Sequence, residues 1–168
     1  MRRRTFLIAA MGGLLARPAF AQPAEPPVAY SGPASVEIPL KRAADGKLYL
    51  TVPVMRRDLV MFIDTGASTV IDIGVARRLG LPLTDTGQQG FGMTGVAGKR
   101  ISTHVDMRLG ALRMEGLPVD CLDLSQLKAI SRGNGMPAFD GVIGAELLTM
   151  LQAQIDFGRL TLTVKRPD

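Results

Sequence analysis

Residues 62–68 read Phe-Ile-Asp-Thr-Gly-Ala-Ser, and no other stretch of this chain is better suited to chemistry. Asp64 ends the unbroken apolar run 59–63. A carboxylate in such a place is costly to bury unless it is paired or hydrogen-bonded. Gly66 can turn the backbone tightly and bring its N–H toward that carboxylate. Thr65 and Ser68 add hydroxyls for a supporting network, with Ala67 between them. These types at this spacing suit a carboxylate held rigidly in a dry site for acid–base work.

The same three residue types recur at Asp85-Thr86-Gly87, after Leu83-Thr84 and before Gln88-Gln89. No apolar strand leads into that copy, and its composition predicts a turn. Asp140 and Asp156 read as turn or backbone-bonding carboxylates. His104 is the only histidine and stands between Thr103 and Val105, which makes it a solvent-facing strand residue. No Cys–His cluster exists, so neither a metal nor a cofactor is expected. Cys121 is the one cysteine and cannot close an internal disulfide. Its apolar surroundings over 117–124 predict a buried, inert thiol, with an intermolecular bridge as the alternative.

The elements that must position Asp64 follow from periodicity. Val36, Ile38 and Leu40 alternate with polar neighbours, 43–46 reads as a turn, and Leu48, Leu50, Val52 and Val54 alternate again, predicting a hairpin. Residues 59–63 predict a strand buried on both faces. Asp72 is placed to cap a short helix ending near Leu79 and Gly80. Ile101, Thr103, Val105, Met107 and Leu109 alternate, Gly110 turns the chain into Leu112 and Met114, and 117–124 predicts a further strand. Residues 125–138 read as loop, 139–144 as apolar strand and 146–151 as a helical turn or two. Residues 154–157 and 160–164 predict a closing hairpin around Gly158-Arg159. Short strands at regular spacing with two short helices predict a mostly-β domain.

Two segments together give a family resemblance. Phe62-Ile63-Asp64-Thr65-Gly66-Ala67-Ser68 resembles the signature of the aspartic proteases. Phe139-Asp140-Gly141-Val142-Ile143-Gly144, with Ala145-Glu146-Leu147-Leu148 after it, resembles their later apolar-apolar-Gly segment and the short helix behind it. The order resembles the retropepsin-like, bacterial single-lobe type over about residues 35–165. The resemblance implies a closed, barrel-like single lobe with two short helices. It implies Asp64 as the catalytic residue, supported by Thr65, Gly66, Ala67 and Ser68. It places Asp140, Gly141, Val142, Ile143 and Gly144 beneath the site. It puts a flap at the glycine-rich hairpin between, with Gly90, Phe91, Gly92, Met93, Thr94, Gly95 and Gly98. In this family two carboxylates hydrolyse a peptide bond, and this chain has one qualifying Asp, so a homodimer acting on an extended peptide or protein substrate is implied. The Thr65 side chain would then bond across to the other subunit. Retroviral relatives interleave their chain ends in the dimer and carry Asp at the position of Ser68; this chain's ends differ, and Ser is common there in cellular relatives. A non-catalytic peptide-binding module of the same fold, or one lobe of a heterodimer, are the alternatives.

Charge and length set the remaining bounds. The chain has 168 residues and a formal net charge of +5. Arg2, Arg3 and Arg4, the apolar stretch 6–15 and Ala19-Phe20-Ala21 read as an export signal over 1–21, too short to span a bilayer. Arg3-Arg4-Thr5-Phe6-Leu7 also fits the twin-arginine pattern, against which an ordinary Sec signal is the alternative. A periplasmic protein is therefore expected, by either route. Removal of the signal takes four arginines, leaving 16 basic against 15 acidic residues, so no case remains for a nucleic-acid or anionic membrane surface. Residues 22–34, rich in Pro, Ala and Gly, predict a flexible tether ahead of a single domain over 35–165.

Overall fold

The computed structural model describes residues 27–91 and 97–167. The export signal expected over 1–21 lies outside them.

The barrel wall begins with β4 (Leu48–Val54) and β5 (Arg57–Ile63), which follow β1 (Ala29–Ser31), β2 (Ser35–Pro39) and β3 (Lys41–Arg42). Leu48, Leu50, Val52 and Val54 all point inward, as strand alternation requires. β4 and β5 pair antiparallel with Leu50 opposite Met61. Next come β6 (Val70–Asp72), α1 (Ile73–Arg78), β7 (Thr84–Phe91), β8 (Ala97–Leu109) and β9 (Leu112–Leu122). Then α2 (Ser125–Gly133) precedes β10 (Gly141–Ile143), α3 (Ala145–Met150), β11 (Gln154–Asp156) and β12 (Thr161–Lys165). The pairing order β9-β6-β10-β5-β4-β8 closes on itself through the β8–β9 hairpin, making a six-stranded barrel. β1 adds to β9, β3 to β4 and β7 to β8, while β11, β12 and β2 form a separate three-stranded sheet.

The site depends on the central strands β5, β10 and β6, because each is buried on both faces. Met61, Ile143 and Ile71 belong to the barrel core. Their neighbours Phe62, Val142 and Val70 belong to a second, outer core with Leu124, Met136 and Phe139. Two-sided burial explains why these strands are continuous apolar runs rather than alternating ones. Phe62 anchors the outer core, with Phe139 edge-on at 5.0 Å between ring centroids and Tyr49 tilted at 5.6 Å.

Several local expectations differ from the structure. β2 does not form a hairpin with β4; it pairs with β12, and only β3 turns back onto β4. Alternation shows which residues face inward but not which strand lies alongside. Residues 125–133 form α2 rather than loop, so the described chain has three helices instead of two. The start of α2 has no cap of its own; Asp72, from β6, accepts the Leu124 N–H at 3.2 Å and pairs with Lys128 Nζ at 3.2 Å. Locally only Asp123 helps, its Oδ1 accepting the Ser125 N–H at 2.9 Å. The second Asp-Thr-Gly copy lies within β7, at an irregularity, rather than in a free turn. Residues 112–122 are one strand, with Gly116 at φ 69 where two pieces were expected. At the end of the expected tether, β1 pairs with β9 and Tyr30 packs on the barrel core. The helix expected after Asp72 does form, with Asp72 Oδ1 accepting the Val75 N–H at 3.0 Å.

Candidate active site

β5 delivers Asp64 to the rim of the barrel. The Asp64 N–H donates to the Ile143 carbonyl at 3.0 Å, continuing the parallel β5–β10 ladder by one residue. The chain then turns, and the Gly66 N–H donates to Asp64 Oδ1 at 2.9 Å. This bond fixes the carboxylate's orientation. A side chain on Gly66 would touch that oxygen at 3.4 Å, an ordinary contact, so the glycine is compatible with the bond rather than forced by it.

The loop is held from below by the segment after β10. The Gly144 N–H donates to Thr69 Oγ1 at 2.9 Å, and the Ala145 N–H donates to the Ala67 carbonyl at 2.8 Å. The Thr69 N–H donates to a Glu146 carboxylate oxygen. The two backbones cross so closely at Gly144 that a Cβ there would lie 2.2 Å from the Ser68 carbonyl carbon and 2.4 Å from the Ala67 oxygen. Gly141 is equally constrained, with the Val70 carbonyl oxygen 2.3 Å from where its Cβ would be. Within β10, Val142 faces the outer core and Ile143 the barrel core. Asp140 accepts the Val60 N–H at 3.0 Å through its side chain, a backbone-bonding carboxylate as its sequence suggested. Asp156 accepts the N–H groups of Gly158 and Arg159, each at 2.8 Å, in the β11–β12 turn.

Thr69 and Glu146 are the supports that the sequence reading passed over. Thr69 directly follows the motif, and Glu146 is the acidic residue in the first turn of α3. Asp72 caps α1 and also accepts the Leu124 N–H just ahead of α2.

In the single chain Asp64, Thr65, Gly66 and Ser68 are exposed and Ala67 is partly covered. The dry site expected around Asp64 is therefore not made by one chain. Surface cavities of about 420 and 400 Å³ lie elsewhere, the first beside Arg56, Arg108 and Arg113, the second on the β11–β12–β2 sheet. Neither is lined by Asp64. Among the described residues no three His, Cys, Asp or Glu side chains gather as metal ligands.

The second copy of the motif is a useful control. Asp85 Oδ1 accepts the Gly87 N–H at 2.9 Å, the same local bond as at Asp64. That bond alone does not separate the two, although Gly87 is left-handed at φ 69 and Gly66 is not. What separates them is the element beneath, since only the first loop rests on β10 and α3. Of the expected flap residues, Gly90 pairs with Gly98 and Phe91 with Ala97 in the β7–β8 hairpin. Gly92, Met93, Thr94 and Gly95 lie outside the described residues. His104 is exposed and Cys121 is buried, both as expected. Burial, with the carboxylates of Asp120 and then Asp72 nearby, pushes the Cys121 thiol up to about 11.

The sequence profile of the aspartyl protease family matches residues 51–147, a span running from β4 to α3. The crystal structure of a retropepsin-like aspartic protease from Rickettsia conorii is similar at 17% identity, covering 82% of this chain and 93% of that one, with a TM-score of 0.50. EIAV protease complexed with the inhibitor HBY-793 matches at 18% identity over 67% of this chain and 94% of its own, with a TM-score of 0.49. The retroviral protease-like domain of Ddi1 from Leishmania major matches at 19% over 70% and 87%, also at 0.49. A search of curated protein sequences returns no match. With the family's profile spanning more than half of its length and a retropepsin-like single-lobe fold around Asp64, this chain belongs to the aspartyl proteases.

Proposed function

We propose that this protein is an aspartic endopeptidase that works as a homodimer, with Asp64 of each copy forming the catalytic pair. The observation that carries the reading is an exposed carboxylate, oriented by the Gly66 N–H, on a loop bonded to β10 and α3. The loop is rigid from below and open from above, and one chain supplies one such carboxylate. A second copy related by a two-fold axis would bring a second Asp64 to the first and cover both.

Two carboxylates that close cannot both ionise, so they share one proton and titrate as a unit; aspartic proteases are the usual illustration of this behaviour. The ionised member takes a proton from a water molecule, whose oxygen attacks the carbonyl carbon of the scissile bond. The protonated member gives its proton to the carbonyl oxygen. The resulting tetrahedral diol collapses, the C–N bond breaks, and the departing amine takes up a proton from the pair. Thr65, exposed beside Asp64, would bond across the two-fold axis, and Gly66, Ala67 and Ser68 would border the substrate backbone. The arm carrying 90–98 would act as the flap over an extended peptide, whose main chain supplies affinity and whose side chains supply preference. Residues 1–21 would direct the protein to the periplasm by the twin-arginine or Sec route.

The test is cleavage of a random peptide mixture from about pH 3 to 7 by the protein without residues 1–21, with Asp64→Asn and a pepstatin-type inhibitor beside it. Activity abolished by both, in a protein of dimeric mass, is the expected result. A folded dimer as silent in the wild type as in Asp64→Asn would favour a non-catalytic peptide-binding role, and a stable monomer would count against the homodimeric mechanism.

A further inference from the structure

The second Asp-Thr-Gly copy has no place in the mechanism, yet it sits at a built feature. β7 and β8 pair with Asp85 opposite Ile101 and Gln89 opposite Lys99. Between those pairs Thr86, Gly87 and Gln88 face the single residue Arg100. The extra length is taken up by Gly87, whose φ of 69 lies in the left-handed region. Bulges of this kind bend and twist a ladder locally, so this is the point at which the β7–β8 arm leaves the barrel.

Arg100 ties that point together. Thr86 Oγ1 donates to the Arg100 carbonyl at 3.1 Å. Arg100 Nη1 donates to Gln88 Oε1 at 3.2 Å, and its Nε donates to both carboxylate oxygens of Asp120 at 2.9 Å. Asp120 stands in the barrel wall between Ser102 of β8 and Val70 of β6. Its own N–H points at the Thr69 carbonyl, 3.4 Å away. Thr69 is the residue whose hydroxyl accepts the Gly144 N–H beneath the Asp64 loop. The arm's root and the Asp64 loop therefore share one support, on the strand that carries Asp120.

We propose that Arg100 and Asp120 form a clamp that sets the angle of the β7–β8 arm relative to the Asp64 loop, making Arg100 a positioning residue for peptide binding. Arg100 suits the role because a guanidinium presents several donors in a fixed plane and can satisfy the bulge and the carboxylate at once. The consequence for peptide binding rests on the peptidase reading above; the clamp itself does not.

The full chain carries the test, as wild type, Arg100→Gln, Asp120→Asn and the charge exchange Arg100→Asp with Asp120→Arg. Backbone hydrogen exchange over 84–88 and 100–103 should quicken at least about tenfold in the two single variants, with β4 and β5 unchanged. With a peptide substrate, KM should rise about tenfold while kcat falls less than about threefold, the split expected when binding rather than the reacting groups is disturbed. The charge exchange should recover part of both effects. Exchange rates that stay at wild-type values, or that quicken equally in every strand, overturn the clamp. An unchanged KM in an active Arg100→Gln variant overturns its role in peptide binding. Local quickening in a protein whose wild type cleaves nothing would keep the clamp and remove the peptidase reading instead.

Discussion

Gly144→Ala should damage this protein far beyond what one methyl group implies. Gly144 has φ −99 and ψ −179, an extended conformation open to any residue, so alanine is not excluded by backbone preference. The cost is steric. Its Cβ would meet three backbone atoms, Ser68 C at 2.2 Å, Ala67 O at 2.4 Å and Thr69 N at 2.4 Å. None of these is the end of a side chain that can rotate away, so the Asp64 loop and the start of α3 must part by roughly 1 Å, an overpacking strain of about 1–3 kcal/mol. Parting them strains the Gly144–Thr69 and Ala145–Ala67 bonds, each contributing about 1 kcal/mol. The total is about 3–5 kcal/mol, or a fall in Tm of roughly 10 °C for a domain of this size. A displacement of about 1 Å in the loop bearing Asp64 should also lower peptidase activity about a hundredfold.

The assay pairs urea unfolding with peptide cleavage, and Gly133→Ala is the control. Gly133 ends α2, has open space where a Cβ would go and is not at positive φ. Alanine there should leave the protein unchanged or stabilise it by about 0.5 kcal/mol. A Gly144→Ala protein within about 1 kcal/mol of wild type, and as active, would refute the close crossing and the support it gives the loop.

Asp72→Ala should cost about 3–4 kcal/mol in urea unfolding, because it strips the cap from α1, leaves the Leu124 N–H without its acceptor and abandons Lys128; Asp72→Asn should fall between. The Cys121 thiol has its pKa raised by folding from 9.0 to about 11, so the unfolded chain loses its proton first as the pH climbs. The resulting stability is complete below about pH 9 and is lost toward pH 11, and about 2 kcal/mol should disappear between pH 8 and 10.5 relative to Cys121→Val, measured by urea unfolding at both. Asp64→Asn should leave Tm within about 2 °C of wild type while abolishing cleavage, since the single chain leaves that side chain exposed and an amide oxygen can still accept from Gly66.

The barrel was legible where burial is one-sided and local. Leu48, Leu50, Val52 and Val54 announce their inward face by spacing alone, and Asp72 announces α1 by standing three residues ahead of an amide it can reach. What escaped is non-local. β2 alternates as clearly as β4, yet its partner is β12, about 125 residues further on, and nothing within five residues states a partner. α2 escaped because its N-cap position is Leu124, whose side chain caps nothing and whose own N–H is held by Asp72, 52 positions earlier. At the candidate site the loop was legible and its scaffolding was not. Phe62 to Ser68 marks the loop, but Thr69 and Glu146 matter only because the chain crosses itself at Gly144. The two Asp-Thr-Gly copies make the point most directly: they share one local hydrogen bond, yet only the first rests on β10 and α3.

The chain ends constrain how a second Asp64 could arrive. β12 pairs with β2 of the same chain along five residues, and the Arg166 N–H donates to the Ala34 carbonyl at 2.9 Å. The edge that an exchanged chain end would occupy beside β12 is therefore already filled from within. Exchanging β12 would break its five pairings with β2 and its three with β11 before making any, a cost that a dimer held at the barrel rim does not meet. On the homodimeric reading, contact is left to the surfaces that stay open, and the 64–68 loop is one of them. Thr65 and Ser68 are exposed there, while the Ala67 carbonyl and the Thr69 hydroxyl are bonded from below. A partner docking on that loop covers side chains rather than opening backbone bonds. It also supplies the burial that Asp64 lacks in the single chain, so association and completion of the site become one event. Activity should then rise with the square of protein concentration below the dimer's Kd and linearly above it. An activity strictly linear at every dilution, in a protein of monomeric mass, would contradict the shared site.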